Sequence, residues 1–285
     1  RQWQIASDAI NSTSGLVAYE DNGGPILWSR IWTGTTWSPT LTNPATEMNN
    51  GDVGDGRWFK EVSSPKTGEK IVALIDNTGG NDAIHVFTWD GTQWEGSGSP
   101  SWSDTLSSSA ADATRAFDVA YEELSGDALV VYSNYSTSQL VYRKRSGGTW
   151  DGTESNAGTA YDVYKRWVRL KPQFGSDSIL VGYLNNNERV GAMIWDGSSN
   201  TFGDQFSDAS GTVTATSGEQ AFDIAWETQS GTPMIFWGTT GNNIIMREFT
   251  GGSWQAESAE LVTPDFDNDL AWVFASADPR ATSNY

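Results

Sequence analysis

Three carboxylates at one equivalent position in a repeated phrase are the residues of this chain best spaced for chemistry. Asp8, Glu122 and Glu227 each close a short β-patterned stretch: "WQIASD", "FDVAYE" and "FDIAWE". Two such acids could serve as the acid and nucleophile of a glycosidase, and three around one axis could hold a cation. A catalytic pair needs unlike surroundings that separate its pKa values, whereas symmetric repetition predicts like ones. Arg30, Arg143 and Arg247 occur in the same three repeats, so ion pairing with them is the expected role. Two loops offer a second set of oxygen ligands: "NNGDVGDG" with Asn50, Asp52 and Asp55, and "DFDND" with Asp265, Asp267 and Asp269. Alternating Asp and Asn suit Ca2+, the one cofactor expected, although neither loop has the spacing or final Glu of an EF-hand. Trp102 lies in "GSGSPSWSD", which reads as an insertion off the repeat with no obvious core, and is the candidate for stacking on a sugar ring. Asn11 and Asn134 open N-x-S/T sequons and are candidate glycosylation sites. The single histidine, His85, alternates with Phe87 and Trp89 and reads as a satisfied strand residue. No phosphate loop, G-x-S-x-G or zinc signature is present, and no catalytic residue is assigned.

The composition narrows the partners. Against 17 basic residues stand 36 acidic ones, a net charge of −19, which repels nucleic acid and anionic membrane. No apolar run approaches the length of a membrane span. With no Cys, disulfides and thiol chemistry are excluded. Low Lys with heavy Ser, Thr, Asn, Gly and Trp usage resembles secreted surface proteins, so an extracellular or cell-surface location is expected. The chain starts at Arg rather than Met, which reads as a processed or excised segment.

The elements that must position these residues are β-strands in a long repeat. The phrases "IWTGTTW", "TWDGTQW", "KRSGGTW", "IWDGSSNTF" and "EFTGGSW" have anchors at Trp32, Trp89, Arg145, Trp195 and Phe249, spaced 57, 56, 50 and 54 residues apart. Gly at the tip supplies the positive φ of a tight hairpin, and Asp or Thr beside it tolerates the turn. Two further strands precede most hairpins, as in "AFDVAYE" with "ALVVYS" and "AFDIAWE" with "PMIFWG". Four antiparallel strands per repeat of this length predict β-propeller blades in one all-β domain. The blades are bounded near 1–55, 56–113, 114–164, 165–218 and 219–268, with an incomplete sixth at 269–285. The hairpin Trp residues are expected to pack between blades. Opening strands alternate between the "FDVAYE" type and a Trp type, "RWFKEV", "RWVRLK" and "AWVFAS". The unit is therefore a pair of blades, and six blades are expected. Residues 269–285 supply only an opening strand of the sixth, whose open edge needs cover. Its missing strands are expected from segments preceding Arg1, or else from a neighbouring molecule by strand addition.

The phrases "AFDVAYEELSGDALVVY" and "AFDIAWETQSGTPMIFW", each followed by its hairpin, resemble the tandem propeller-like repeats of large secreted prokaryotic surface proteins. That resemblance covers nearly the whole chain and implies an extracellular structural or adhesive role. The "WDGTQW" hairpin is similar to that of six-bladed fucose-binding lectins. The lectins' sugar-binding Glu, three residues before Trp-Asp-Gly, is replaced here by Val86 and Ala192. The expected function is a non-enzymatic structural or adhesive module, one subunit of a surface assembly or filament, with other protein subunits or surface glycans as partners. A carbohydrate-binding lectin is the alternative, and a glycosidase-like enzyme comes third.

Overall fold

Each hairpin closes because a large anchor side chain meets a second one across the turn. In the computed structural model, which describes residues 3–7, 15–20, 27–37, 55–77, 82–106, 114–158, 163–207, 213, 219–239, 243–258, 270 and 272–277, Trp89 meets Trp94 edge-on at 5.6 Å and Phe249 meets Trp254 at 5.6 Å. Trp195 meets Phe202 at 5.0 Å, and the Arg145 guanidinium lies 5.8 Å from the Trp150 ring. The turn between is fixed locally: the Asp90 carboxylate accepts the Thr92 and Gln93 backbone N–H groups, and Gly91 takes φ +103°. Asp196 repeats this with Ser198, accepting its N–H and hydroxyl.

Strands flanking these turns form antiparallel meanders. The first sheet holds β1 (Trp3–Ser7), β2 (Gly15–Glu20) and β3 (Leu27–Trp32). The second runs β4 (Asp55–Ser63), β5 (Lys70–Asn77), β6 (Ala83–Trp89) and β7 (Trp102–Thr105). The third has β8 (Phe117–Tyr121), β9 (Ala128–Asn134), β10 (Gln139–Ser146) and β11 (Thr149–Trp150), with β12 (Ser155–Asn156) also on β10. The fourth has β13 (Lys165–Pro172), β14 (Ser178–Asn185), β15 (Val190–Asp196) and β16 (Thr201–Ser207). The fifth has β17 (Phe222–Trp226), β18 (Pro233–Gly238), β19 (Ile244–Thr250) and β20 (Ser253–Trp254). Among the described residues helix is confined to one 3-10 turn, Glu95–Gly98. The chain groups into two compact units: Arg1–Asp112 with Leu124–Leu129 and Lys144–Gly152, and Ala113–Glu123 with Val130–Arg143 and Thr153–Tyr285.

In the first unit, one face of the second sheet buries Phe59, Val72, Leu74, Phe87, Trp89 and Trp94, with Ile31 packed on them. The Trp94 indole N–H donates to Ser29 Oγ at 3.1 Å. Here one expectation is corrected. Trp102 does not lie in an insertion but opens β7, the fourth strand of its sheet, and is 8% exposed. The 3-10 turn carries the chain from the hairpin back onto the sheet, and Trp102 packs edge-on against Trp150 at 5.7 Å. Asp55, read as a loop ligand, is the first residue of β4, paired with Asn77.

The second unit is stapled by a buried aspartate used twice. Asp118, fully buried in β8, accepts the Leu170 N–H of β13 at 2.9 Å through one carboxylate oxygen. Its other oxygen takes Arg115 at 2.9 Å and the Val119 N–H at 3.0 Å. Beside it the Val168 N–H donates to the Arg115 carbonyl at 3.1 Å. Two blades later the same contacts recur. Asp223 accepts the Ala275 N–H at 2.9 Å, and the Val273 N–H donates to the Gln220 carbonyl at 2.9 Å. Residues 272–277 thus dock on β17 through the same contacts that join β13 to β8. Arg169 bridges toward Asp223 at 3.2 Å. Burial works against its charge, yet the Asp118 and Asp223 carboxylates hold it above its ordinary pKa. Arg115 is held below its ordinary value by burial, with Asp118 opposing the shift.

Close approach between the fourth and fifth sheets requires a residue without a side chain. A Cβ on Gly182 of β14 would sit 2.5 Å from the Ile224 side chain and 3.0 Å from the Phe222 ring. Gly182→Ala should therefore destabilise the protein by about 1–3 kcal/mol through overpacking, seen as a lower denaturant midpoint. Asp118→Ala strands a buried guanidinium and a buried N–H, and should cost about 3–5 kcal/mol. Asp118→Asn, which keeps an acceptor for Leu170, should cost less. Equal melting temperatures for Asp118→Ala and the parent would contradict the staple.

Candidate functional site

The turns that join the first two strands of the fourth and fifth sheets, together with residues 275–277, enclose an open cavity of about 330 Å3. That lies at the lower end of the volumes small-molecule sites occupy. The staple sets its third wall, because Ala275 is held by Asp223.

Each wall has a local cause. After β13, the Gln173 N–H donates to the Ser178 carbonyl and Ser176 N–H to the Gln173 carbonyl, with Gly175 at φ +69°. Phe174 sits at the tip of this tight turn, and its ring is 79% exposed at the rim. After β17, the Glu227 carboxylate caps its own turn, accepting the Gln229 N–H at 3.1 Å and the Ser230 N–H at 2.5 Å. Hydrogen bonds from Ser230, and then from Gln229, hold the carboxyl below the usual range, so it is ionised and faces solvent. Trp226 is buried to 8% and its indole N–H is fixed on the Lys171 carbonyl at 2.8 Å, tying the two turns together. Gln173 and Gln229 add side-chain amides to the lining. The result is an exposed aromatic face beside an ionised carboxylate, the Lys171 side chain and neutral donors and acceptors.

The repeated carboxylates part company. Glu122 is 1% exposed and accepts the Trp195 indole N–H at 2.7 Å, whereas Glu227 is the turn cap of the cavity. The expectation of like surroundings is corrected: Glu122 meets a buried indole from β15 of the next sheet, whereas Glu227 meets the backbone N–H groups of its own turn. Arg247 pairs with Glu257 at 3.3 Å. Arg145 instead takes Glu69 at 2.8 Å and also Glu95. Asn134 ends β9 with its amide engaged at both ends, donating to Glu154 and accepting from the Ser136 and Thr137 N–H groups. Asp8, Asn11, Asn50, Asp52, Asp265, Asp267 and Asp269 lie outside the described residues. Among the described residues no group of three or more acids and histidines could hold a metal.

The sequence reading missed Phe174, Gln173 and Gln229. The available signal was an aromatic at the tip of a Gly-containing turn, "PQFGSD", where a core role is difficult to satisfy.

No family model matches this chain, and no curated protein matches it. Solved structures do. The BP39L lectin from Burkholderia pseudomallei is 15% identical with a TM-score of 0.59, over 91% of this chain and 70% of that one. The fucose-specific lectin from Aleuria aurantia is 12% identical with a TM-score of 0.49, over 90% and 77%. A prolyl endopeptidase structure is 10% identical with a TM-score of 0.47, over 92% and 36%. With the four-stranded antiparallel meanders, the likeness to the Burkholderia structure establishes the fold as an all-β propeller.

Proposed function

We propose that this protein is a carbohydrate-binding propeller module and that the cavity beside Phe174 takes one saccharide residue. The observation that carries the reading is the exposed Phe174 ring set at the rim of a cavity whose lining mixes apolar residues with the polar groups of Lys171, Gln173, Glu227 and Gln229. A pyranose has an apolar C–H face, which stacks on such a ring, and hydroxyls, which suit the Glu227 carboxylate and the Gln173 and Gln229 amides. The shared fold with a bacterial lectin supports the reading, and the Ser-, Thr- and Trp-rich composition supports presentation outside the cell. Glu227 is held ionised by the hydrogen bonds of its own turn, and Lys171 lines the same cavity, so the site offers a charge of each sign to a ligand.

A glycan array followed by calorimetry on the purified protein tests this. Saccharide binding should fall by about tenfold in Phe174→Ala, the order of one stacked aromatic contact. Trp102→Ala, in contrast, should lower stability and leave the affinity unchanged. Affinity should also be flat from about pH 7 to about pH 5, since Glu227 titrates lower. Binding that survives Phe174→Ala intact, or no binding to any saccharide, would overturn the assignment.

A further inference from the structure

The second sheet carries a line of three side chains that the saccharide reading leaves unused. On one face, Asp76 of β5, His85 of β6 and Ser103 of β7 lie side by side from the interior to the outer edge. Asp76 is 1% exposed and its Oδ1 accepts the Ala83 N–H at 2.7 Å. Its Oδ2 lies 3.3 Å from Nε2 of His85, which is 8% exposed. The Nδ1 of that imidazole lies 2.7 Å from the Ser103 Oγ, and Ser103 is exposed. The contact to Asp76 is not aligned as a hydrogen bond, but a buried carboxylate 3.3 Å from Nε2 attracts the ring proton to that nitrogen electrostatically, which leaves Nδ1 to accept from the serine hydroxyl.

Register supplies a further group. His85 stands directly opposite Ser103, while the Leu106 N–H donates to the Asp82 carbonyl three positions away. Hydrogen-bonded pairs alternate along an antiparallel ladder, so the His85–Ser103 pair is of the non-bonded kind. The side chains are therefore close, and the Ser103 N–H points away from β6. Among the described residues β7 is the end strand of its sheet, so that N–H is directed away from the sheet, on the same residue as the hydroxyl.

We propose that Ser103 is the nucleophile of an acyl-transfer site for carboxylic esters, separate from the saccharide cavity. Ser103 Oγ forms a bond to the ester carbonyl carbon while its proton passes to His85 Nδ1. The carbonyl oxygen, now negative, is met by the Ser103 N–H. The bond from carbon to the leaving oxygen then breaks, and that oxygen takes the proton from His85 as the alcohol departs. Water repeats the sequence on the acyl-serine, giving the acid and restoring Ser103. Asp76 is a positioning residue, holding the imidazole in the required tautomer and facing the charge it acquires.

The test is labelling with a fluorophosphonate, read by peptide mass spectrometry, alongside p-nitrophenol release from p-nitrophenyl acetate. Ser103 should be labelled at least tenfold faster than exposed serines without a nearby imidazole, such as Ser146 and Ser253, which serve as internal standards in the folded chain. Ser103→Ala should abolish the label and the p-nitrophenol burst, and His85→Gln should slow both by at least tenfold at an unchanged melting temperature. Labelling of Ser103 at the rate of Ser146 and Ser253 in the parent would overturn the proposal without recourse to any variant. Equal rates in a folded His85→Gln protein would do so too. Saccharide binding should be unaffected by Ser103→Ala, so the two sites stand or fall separately.

Discussion

A carboxylate buried in an apolar strand is the interaction on which the second unit depends. Asp118 and Asp223 sit where the strand pattern calls for a hydrophobic residue, and each reaches across to a backbone N–H of the next opening strand. A buried charge is tolerated only when it is met by donors, and Asp118 has Arg115 and two backbone groups. Such bonds are directional, so they set register between sheets as apolar contact alone cannot. The same device holds residues 272–277, and with them one wall of the cavity beside Phe174.

The cavity then follows from small local rules. Gly182 lets the fourth and fifth sheets approach, the Trp226 indole ties the two turns, and Glu227 spends its carboxylate on its own turn. A ligand is left the Phe174 face at the tip of the Gly175 turn, the solvent side of the Glu227 carboxylate and the Gln173 and Gln229 amides. The first unit is built differently, on a cluster of aromatics between Phe59 and Trp94. It carries its polar groups in a row that ends on β7, the last strand of its sheet among the described residues.

Local chemistry is what the sequence made legible. Asp90-Gly91 and Asp196-Gly197 announce their turns because the capping carboxylate and the flexible residue are adjacent. The four-strand repeat announces the blades because each anchor needs a partner across the turn. In the second unit the alternation of two strand types has its physical cause in the staple, since "FDVAYE" and "FDIAWE" supply the aspartate and the Trp-type segment after each supplies the N–H. Attention to the final Glu of that phrase missed the Asp in its middle, although an acid repeated inside an apolar strand was the stronger sign. Trp102 was misplaced because Gly and Ser beside it look like loop, whereas the partner that buries it, Trp150, lies far along the chain. The cavity was illegible for the same reason: three segments distant in sequence form it. Asp76, His85 and Ser103 are likewise neighbours through strand register alone.

The most direct measurement of this account is amide hydrogen exchange at Ala275 and Val273 in the parent and in Asp223→Ala. If the buried carboxylate holds that segment, both amides should exchange much faster in the variant while those in the middle of β14 and β15 keep their protection. Unchanged protection at Ala275 in Asp223→Ala would show that the segment is held by something else, and the staple would lose its place at the centre of the structure.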